Sequence, residues 1–327
     1  MSQLTVLMYH FVRELSCTRY PNIKALLTSE FKNQLAYIEK HYQFVTIDEC
    51  IQAIYSNDLK RFPHNSILLT FDDAYIDHFL TVFPILEEKK IPGCFFPPAK
   101  AILDDKVLDV NKLHFLLASK NIEFLIHDIY TCLDKYRSTY SLKSNNYYFT
   151  KLAHDSRFDS KEVIFIKKLL QVELDEALRK LIIDELFRKY VTNDEKAFSR
   201  ELYMSVDQLR CMIRNGMYVG SHGYDHYFLN SLSPEKQEQE INLSLQFLER
   251  IGSPTNTWVM CYPYGAYNES LIDILKRRNC KLGLTTKVGI ANLSRDNAFT
   301  IERLDTNDFP KAMHVKMNSW TKQIETK

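Results

Sequence analysis

The sequence predicts an α/β protein, a distorted (β/α) barrel of about seven to eight mainly parallel strands that carries a mainly helical insertion. Three observations support this prediction. Short apolar runs typical of buried strands recur in both terminal parts of the chain, and amphipathic helical stretches separate most of them. Between positions 98 and 216 the sequence contains neither glycine nor proline. Strands that alternate with helices form parallel sheets, because each helix covers a sheet face and returns the chain to the next strand.

Eight apolar runs are the predicted strands, and they span residues 5–9, 44–46, 67–70, 93–96, 218–220, 258–261, 281–284 and 299–301. Helices with one apolar face are predicted from residues that recur at helical spacing: Phe31, Leu35, Ile38 and Tyr42; Ile241, Leu245 and Leu248; Leu271, Ile274 and Leu275. This alternation predicts a sheet that is closed or nearly closed.

The helical insertion is predicted over residues 103–200, and the barrel over residues 1–102 and 201–327. Glycine and proline are the strongest breakers of local structure, so a long stretch without them favours helix. The insertion follows the fourth predicted strand, on the side of the barrel where loops carry binding sites. We therefore expect it to form a lid, a substrate-binding lobe or an oligomer contact.

Composition and charge argue against several classes of protein. The chain has 42 Lys and Arg against 41 Asp and Glu and no long basic block, so nothing favours nucleic-acid binding. Its first apolar run is too short for a signal peptide, and no segment approaches the roughly 18 apolar residues of a membrane span. The seven cysteines form no C-x-x-C pair, which suits a reducing compartment. We expect a cytoplasmic protein without a transmembrane segment or a nucleic-acid partner.

Polar motifs follow three of the predicted strands. Asp72 and Asp73 follow the third strand, His222 and His226 the fifth, and a Tyr-Pro-Tyr-Gly turn over residues 262–265 the sixth. The carboxyl ends of the strands meet at one rim of a barrel, so these residues are expected to lie together. Asp and His bind divalent metals, and three protein ligands leave room for water, as hydrolysis requires. The alternatives are a helix cap, a hydrogen-bonded histidine pair and an ordinary turn.

Taken together and in this order, the motifs resemble those of the NodB-type polysaccharide deacetylases, carbohydrate esterase family 4. Residues 93–96, and residues 205–209 with the glycines that follow them, also resemble the family's pattern. The resemblance covers the chain apart from the insertion. It implies the NodB-homology fold and an enzyme that hydrolyses the N-acetyl group of an amino sugar.

The resemblance also implies a role for each motif residue. Asp73, His222 and His226 would bind the metal, usually Zn²⁺ in this family, with Co²⁺, Ni²⁺ and Mn²⁺ as alternatives because His-His-Asp sites accept several ions. Asp72 would be the general base that activates a metal-bound water. The metal and the backbone N–H of Tyr264 would hold the oxyanion.

Aromatic residues crowd the motif loops and supply candidate substrate contacts. Tyr264, Pro263 and Tyr262 of the turn, together with Tyr224, form this predicted substrate and oxyanion group. Aromatic faces at a rim can stack on a sugar ring, although they can equally pack against one another.

The sequence departs from the family pattern at two points. The late L-x-H histidine, the usual general acid, is absent, and His314 lacks its surroundings. His10, at the end of the first strand, is the better candidate for the general acid. The alternative is that His10 is a hydrogen-bonded core histidine. Cys261 stands where many members have an arginine that orients the catalytic aspartate. Arg303 is predicted to reach Asp72 from the last strand instead, and the alternative is a structural ion pair.

The expected cytoplasmic location bears on the substrate. Assembled wall polymers lie outside the cell, so we expect an N-acetylated glycan precursor that belongs to surface-polysaccharide biosynthesis. One alternative keeps the chemistry but changes the substrate, as a metal-dependent amidohydrolase acting on a non-carbohydrate acyl amide. The other is a non-catalytic sugar-binding protein on the same scaffold.

Overall fold

Nine strands form one curled sheet in the part of the chain that the structure describes. The computed structural model describes residues 3–16, 18–56, 62–294 and 296–325. The strands are β1 (Gln3–Tyr9), β2 (Gln43–Phe44), β3 (Ser66–Asp72), β4 (Cys94–Phe96), β5 (Tyr218–Val219), β6 (Trp258–Cys261), β7 (Cys280–Val288), β8 (Ala291–Asn292) and β9 (Ile301–Asp305). The main path of the sheet has the order β5-β4-β3-β1-β9-β7-β6, while β2 pairs with β3 and β8 with β1.

The predicted barrel of mainly parallel strands is confirmed. All neighbours on the main path are parallel, and the β1–β8 pair is antiparallel. Each predicted run overlaps a strand, although β9 begins at Ile301, the last residue of its predicted run. The prediction does not include β8, because a two-residue pairing leaves no periodicity in the sequence.

The two edge strands of the sheet, β5 and β6, meet at Ser221. The N–H of Ser221 donates to the carbonyl of Val259 (3.0 Å), and the N–H of Cys261 donates to the carbonyl of Ser221 (2.8 Å). A Cβ atom at Gly220 would lie 2.8 Å from the oxygen of Val259, so this close approach requires glycine. The barrel is therefore joined at the point where two of the polar motifs begin.

Fourteen α-helices accompany the sheet in the described residues. They are α1 (Thr28–His41), α2 (Ile47–Ser56), α3 (Phe83–Lys89), α4 (Ala99–Leu103), α5 (Asp109–Ser119), α6 (Ile122–Tyr136), α7 (Asn145–Leu152), α8 (Lys161–Lys168), α9 (Glu176–Tyr190), α10 (Glu195–Leu202), α11 (Val206–Arg214), α12 (Pro234–Ile251), α13 (Glu269–Arg277) and α14 (Ser319–Glu325). No described helix combines the length and apolar composition needed to cross a bilayer.

The helices on either side of the histidine motif have strong sequence boundaries. Ser205 accepts a hydrogen bond from the N–H of Gln208, whose side chain accepts one from the N–H of Ser205, so a complete capping box starts α11. Ser233 caps α12 and precedes its first-turn proline, and Gly252 ends that helix with φ 82°. Of these signals, the Ser233 cap marks where the chain enters α12 after the motif loop.

The chain divides into two compact units. The first comprises residues 1–13, 25–106 and 199–327, and the second comprises residues 14–24 and 107–198. The first unit contains the sheet, whose strands β3, β4 and β6 are buried at every residue. The second unit thus differs from the predicted insertion of residues 103–200, because it also includes residues 14–24. The role of the helical insertion as lid, substrate lobe or oligomer contact stays a prediction.

The second unit has an apolar core of its own. Fully buried leucine, isoleucine and phenylalanine side chains from α5, α6, α8 and α9 form it, among them Leu116, Ile129, Phe165 and Ile182.

Lys112, on α5, is buried and forms ion pairs with Asp184 (2.5 Å) and Glu195 (3.0 Å). A buried ammonium needs such partners, because an unpaired charge in an apolar core is strongly unfavourable.

Candidate functional site

The polar motifs lie together at the carboxyl rim of the sheet. Asp72 is the last residue of β3, and Asp73 follows it with φ 73°. The N–H of Asp73 donates to the carbonyl of Phe96, at the end of the neighbouring strand β4 (3.2 Å). The left-handed backbone at Asp73 is rare for a residue with a side chain, and such strain is concentrated at functional sites.

Three buried side chains converge as the sequence predicted for metal ligands. The Nε2 atoms of His222 and His226 lie 3.5 and 3.3 Å from Oδ1 of Asp73. The three residues are 3 to 8% exposed. Zinc bonds of about 2.1 Å in a tetrahedral site place neighbouring ligand atoms roughly 3.4 Å apart, so the observed spacing fits a metal ion.

The hydrogen bonds to Asp73 and His222 use Oδ2 and Nδ1, the atoms that do not take part in the convergence. Tyr75 donates to Oδ2 of Asp73 (2.7 Å), while Oδ1 is buried without a hydrogen-bond partner in the described part of the chain. The Nδ1–H of His222 donates to the carbonyl of Cys261 (2.7 Å), so Nε2 is the nitrogen of this ring that would carry the lone pair for a metal. An orphaned carboxylate oxygen beside available imidazole nitrogens is what a divalent cation would satisfy.

Electrostatics favour the ligand forms of Asp73 and His226. Burial raises the pKa of Asp73, but the nearby His222 and His226 rings outweigh burial and hold this pKa well below its usual range. Burial lowers the pKa of His226 and outweighs the opposing effect of Asp73. An ionised carboxylate and a neutral imidazole are the states that bind metal.

Asp72 is held by a buried arginine from the last strand. Nη1 and Nη2 of Arg303 donate to Oδ1 (3.0 Å) and Oδ2 (2.8 Å) of Asp72. Arg303 is 1% exposed, and its Nε donates to the carbonyl of Thr285 (2.7 Å), which fixes the guanidinium plane. Cys261, at the position of the family's arginine, places its thiol 3.4 Å from Oδ1 of Asp72.

This pairing keeps Asp72 ionised. Burial alone raises the pKa of the carboxyl group, but the charge of Arg303, with smaller effects of His222 and His10, lowers it to about 2. The carboxylate therefore carries its negative charge throughout the neutral range. Its orientation and charge are both set by residues of the first unit.

His10 lies at the same rim, after β1, and is half-buried. It follows Tyr9, the partner of Phe71 in the pairing of β1 with β3, and its charge contributes to the low pKa of both Asp72 and Asp73. The backbone carbonyl of His10 accepts a hydrogen bond from Nε2–H of His78 (2.8 Å). His314, in contrast, is exposed. The structure thus brings His10 to the aspartates.

His78 is a supporting residue that the sequence analysis missed. It begins a π-helical turn, residues His78–Val82, and is fully buried among the rings of Phe71, Tyr75 and Phe95. Burial lowers the pKa of His78 to about 4, so it stays neutral near pH 7. In the neutral ring, Nε2–H therefore donates to the backbone carbonyl of His10.

The Tyr-Pro-Tyr-Gly turn presents one of its two tyrosines at the site. Tyr264 has φ 58°, its ring lies parallel to that of Phe228 with centroids 3.8 Å apart, and it meets His226 edge-on at 4.7 Å. Pro263 and Tyr262 are buried, and the hydroxyl of Tyr262 donates to the carbonyl of Phe299 (3.1 Å). Their side chains are therefore enclosed by the protein.

Tyr224, the fourth predicted substrate residue, is half-buried beside the ligand loop. Its hydroxyl lies 3.3 Å from a carboxylate oxygen of Asp104, and its N–H donates to Glu240 (3.0 Å). Of the predicted substrate residues, Tyr264 and Tyr224 retain accessible side-chain surface.

Part of the chain matches known proteins in sequence. Residues 187–283 match the family model described as polysaccharide deacetylase. A protein of Bacillus subtilis (strain 168), named "Putative polysaccharide deacetylase YxkH", is 30% identical over 101 residues, which are 31% of this chain and 35% of that relative. The chain thus matches about a third of this relative's length. The matched region contains both histidines and the Tyr-Pro-Tyr-Gly turn.

Solved structures resemble the chain over nearly its whole length. The Streptococcus pyogenes deacetylase PplD in complex with acetate has a TM-score of 0.57 at 20% identity, covering 93% of this chain and 92% of that one. IcaB from Ammonifex degensii has a TM-score of 0.54 at 19% identity, covering 99% and 97%. At these identities the likeness establishes the fold. Together with the sequence matches, it confirms the predicted resemblance to the polysaccharide deacetylases.

Proposed function

We propose that this chain, a relative of the polysaccharide deacetylases, is a metal-dependent enzyme that hydrolyses the N-acetyl group of an amino sugar. The observation that carries the proposal is the juxtaposition of two groups at one rim. The Nε2 atoms of His222 and His226 both lie within 3.5 Å of Oδ1 of Asp73. Asp72, the preceding residue, forms a bidentate ion pair with Arg303. The sequence matches to polysaccharide deacetylases support the same chemistry.

Asp73, His222 and His226 would hold the metal, with Zn²⁺ as the first candidate and Co²⁺, Ni²⁺ or Mn²⁺ as alternatives. When bound, such an ion lowers the pKa of water and polarises the amide carbonyl. Asp72, a weak base because its pKa is about 2, accepts the proton of the attacking water at a carboxylate oxygen. Each carboxylate oxygen has two lone pairs, so the bonds from Arg303 leave room for this proton.

The remaining steps use the turn and the first strand. The backbone N–H of Tyr264 would donate to the oxygen of the amide as negative charge develops there. The amide C–N bond then breaks, acetate keeps the new C–O bond, and the amine nitrogen takes a proton. We assign that proton to His10, because it follows Tyr9, the partner of Phe71 in the pairing of β1 with β3, and so leaves the sheet next to the strand end that carries Asp72.

We further propose a cytoplasmic glycan precursor of surface-polysaccharide biosynthesis as the substrate. The six described cysteines are free thiols, which supports a reducing compartment. The half-buried Tyr224 and Tyr264 offer aromatic surface for a sugar ring beside the metal ligands.

Metal-dependent acetate release from N-acetylated sugars is the first expected result. The metal-reconstituted protein is assayed on free and nucleotide-linked N-acetyl sugars, with simple acyl amides as a second panel. We expect acetate from the sugars, its loss on chelation and its recovery when Zn²⁺ or Co²⁺ is added. Turnover confined to the acyl amides would instead favour the non-carbohydrate amidohydrolase. Sugar binding and bound metal without turnover on either panel would favour the sugar-binding protein.

Replacing His10 by alanine is expected to lower kcat by about 10²–10⁴-fold, the usual contribution of a general acid. The metal ligands are untouched, so we expect Co²⁺ binding to stay within a few-fold of the wild type. The matched control is His314→Ala, which removes an exposed histidine and should leave kcat unchanged. Full activity in His10→Ala would exclude His10 as the acid, and a loss restricted to His314→Ala would assign that role to His314.

A further inference from the structure

Three buried polar side chains of α12 bind the segment that carries the histidine ligands. Gln237, Glu240 and Ser244 are spaced by three and four residues, so they share one face of the helix, and none is more than 7% exposed. Gln237 donates to the carbonyl of Leu229 (2.8 Å), and the hydroxyl of Ser244 lies 2.6 Å from that of Ser221. These contacts hold the two ends of the loop.

Glu240 holds the middle of the same loop. One carboxylate oxygen, Oε2, accepts hydrogen bonds from the backbone N–H groups of Tyr224 and Asp225, each at 3.0 Å. These two residues lie between the ligands His222 and His226. A buried carboxylate is costly unless it is hydrogen-bonded, and its bonds to N–H donors are stronger than those of a neutral acceptor. Glu240 is therefore suited to fix the backbone rather than to contact solvent.

The loop needs such a fixed backbone because His226 has a strained conformation. Its φ is 57°, in the left-handed region that L residues rarely adopt and that persists only where the surroundings enforce it. On the opposite side, the N–H of Lys100 donates to the carbonyl of Tyr224 (2.9 Å), and the Lys100 side chain pairs with Asp225. Glu240 and Lys100 thus hold the two peptide groups that flank Tyr224, between the two histidine ligands.

We propose that Glu240 is a positioning residue of the metal centre, holding the loop so that the rings of His222 and His226 direct Nε2 at Asp73. This inference rests on the proposed function, because it assigns Glu240 a role toward the bound ion. Residues that orient metal ligands commonly affect metal affinity by about 10–100-fold when they are removed.

The test measures metal affinity separately from catalysis. The intact protein and its Glu240→Ala and Glu240→Gln variants are titrated with Co²⁺ against a chelator, and the visible spectrum of bound Co²⁺ is recorded. We expect Glu240→Ala to weaken Co²⁺ binding by about 10–100-fold and to change the spectrum. Glu240→Gln keeps a neutral acceptor for the two N–H groups, so its loss should be smaller. Glu249→Gln, exposed on the same helix, is the control and should match the wild type.

The outcomes separate the two proposals. Absence of Co²⁺ binding in the wild type would overturn the metal-dependent function itself. Wild-type binding with unchanged affinity and spectrum in both Glu240 variants would overturn only the inference. The inference would also be overturned if the metal-free variants melted at a lower temperature but bound Co²⁺ with unaltered affinity. That result would assign Glu240 to fold stability alone. Should Glu240→Ala not fold, Glu240→Gln decides by the same two readouts.

Discussion

Replacing Asp72 by asparagine is expected to lower kcat for acetate release by about 10²–10⁴-fold. Asparagine keeps the shape of the side chain but cannot accept the proton of the attacking water. The carboxylate of Asp72 is bound by Arg303 and is not among the three converging ligand atoms, so Co²⁺ affinity should stay within a few-fold. Steady-state acetate release and chelator competition measure the two quantities on the same preparation.

The substitution also leaves the buried Arg303 without its counter-charge, so the folded fraction must be measured by thermal unfolding. Asp207→Asn is the matched control, because the side chain of Asp207 is 90% exposed on α11 and should affect neither activity nor stability. An Asp72→Asn enzyme with wild-type kcat per folded molecule would exclude Asp72 as the base. Loss of Co²⁺ binding along with activity would instead make Asp72 a metal ligand.

Replacing Arg303 by methionine is expected to lower the free energy of unfolding by about 3–5 kcal/mol, the cost of removing one partner of a buried ion pair. The side chains of Arg303 and Asp72 are 0% and 2% exposed, so solvent cannot compensate the carboxylate that remains. Urea unfolding of the metal-free protein measures this change. We expect kcat to fall as well, because the orientation of Asp72 depends on both guanidinium bonds.

A double-mutant cycle tests whether the loss comes from the unpaired charge. Arg303→Met combined with Asp72→Leu removes both charges and should recover much of the stability without recovering activity. Arg200→Met is the control, since Arg200 is 62% exposed in its ion pair with Asp105 and exposed pairs contribute about 0–1 kcal/mol. A loss in Arg303→Met no larger than in Arg200→Met would contradict the prediction.

The grouping of Asp72, Asp73, His222 and His226 could be predicted because it depends only on where strands end. Each pair follows a recognisable apolar run, and parallel topology brings such ends to one rim. Arg303 lies within β9 rather than at its end, and its long side chain reaches Asp72 at the end of β3. These long-range contacts were therefore easier to predict than many local ones.

The supporting residues could not be predicted in this way. Tyr75 lies two residues beyond Asp73, and its hydroxyl donates a hydrogen bond to the Asp73 carboxylate. Between the two, the backbone is left-handed at both Asp73 and Ala74. No local pattern in Thr70-Phe71-Asp72-Asp73 indicates that conformation. His78 likewise depends on a π-helical turn, for which the sequence offers no periodic signal.

Glu240 did leave a signal in the sequence. Gln237, Glu240 and Ser244 recur at helical spacing next to Ile241, on a helix whose apolar stripe was predicted from Ile241, Leu245 and Leu248. Polar residues that share a helical face with buried ones need hydrogen-bond partners. The sequence alone could not name those partners, because they are backbone groups of a loop.

The placement of β1 between β3 and β9 has a consequence for how the molecule reaches this state. Leu7 pairs with Leu69 on one side and with Leu304 on the other, so the central strand joins the two ends of the chain. Pairings between distant residues close long loops, and proteins dominated by them fold slowly. Because Arg303 lies on β9, a chain still being synthesised contains Asp72 long before its counter-ion exists. The Asp72–Arg303 ion pair can therefore form only after β9 has been synthesised.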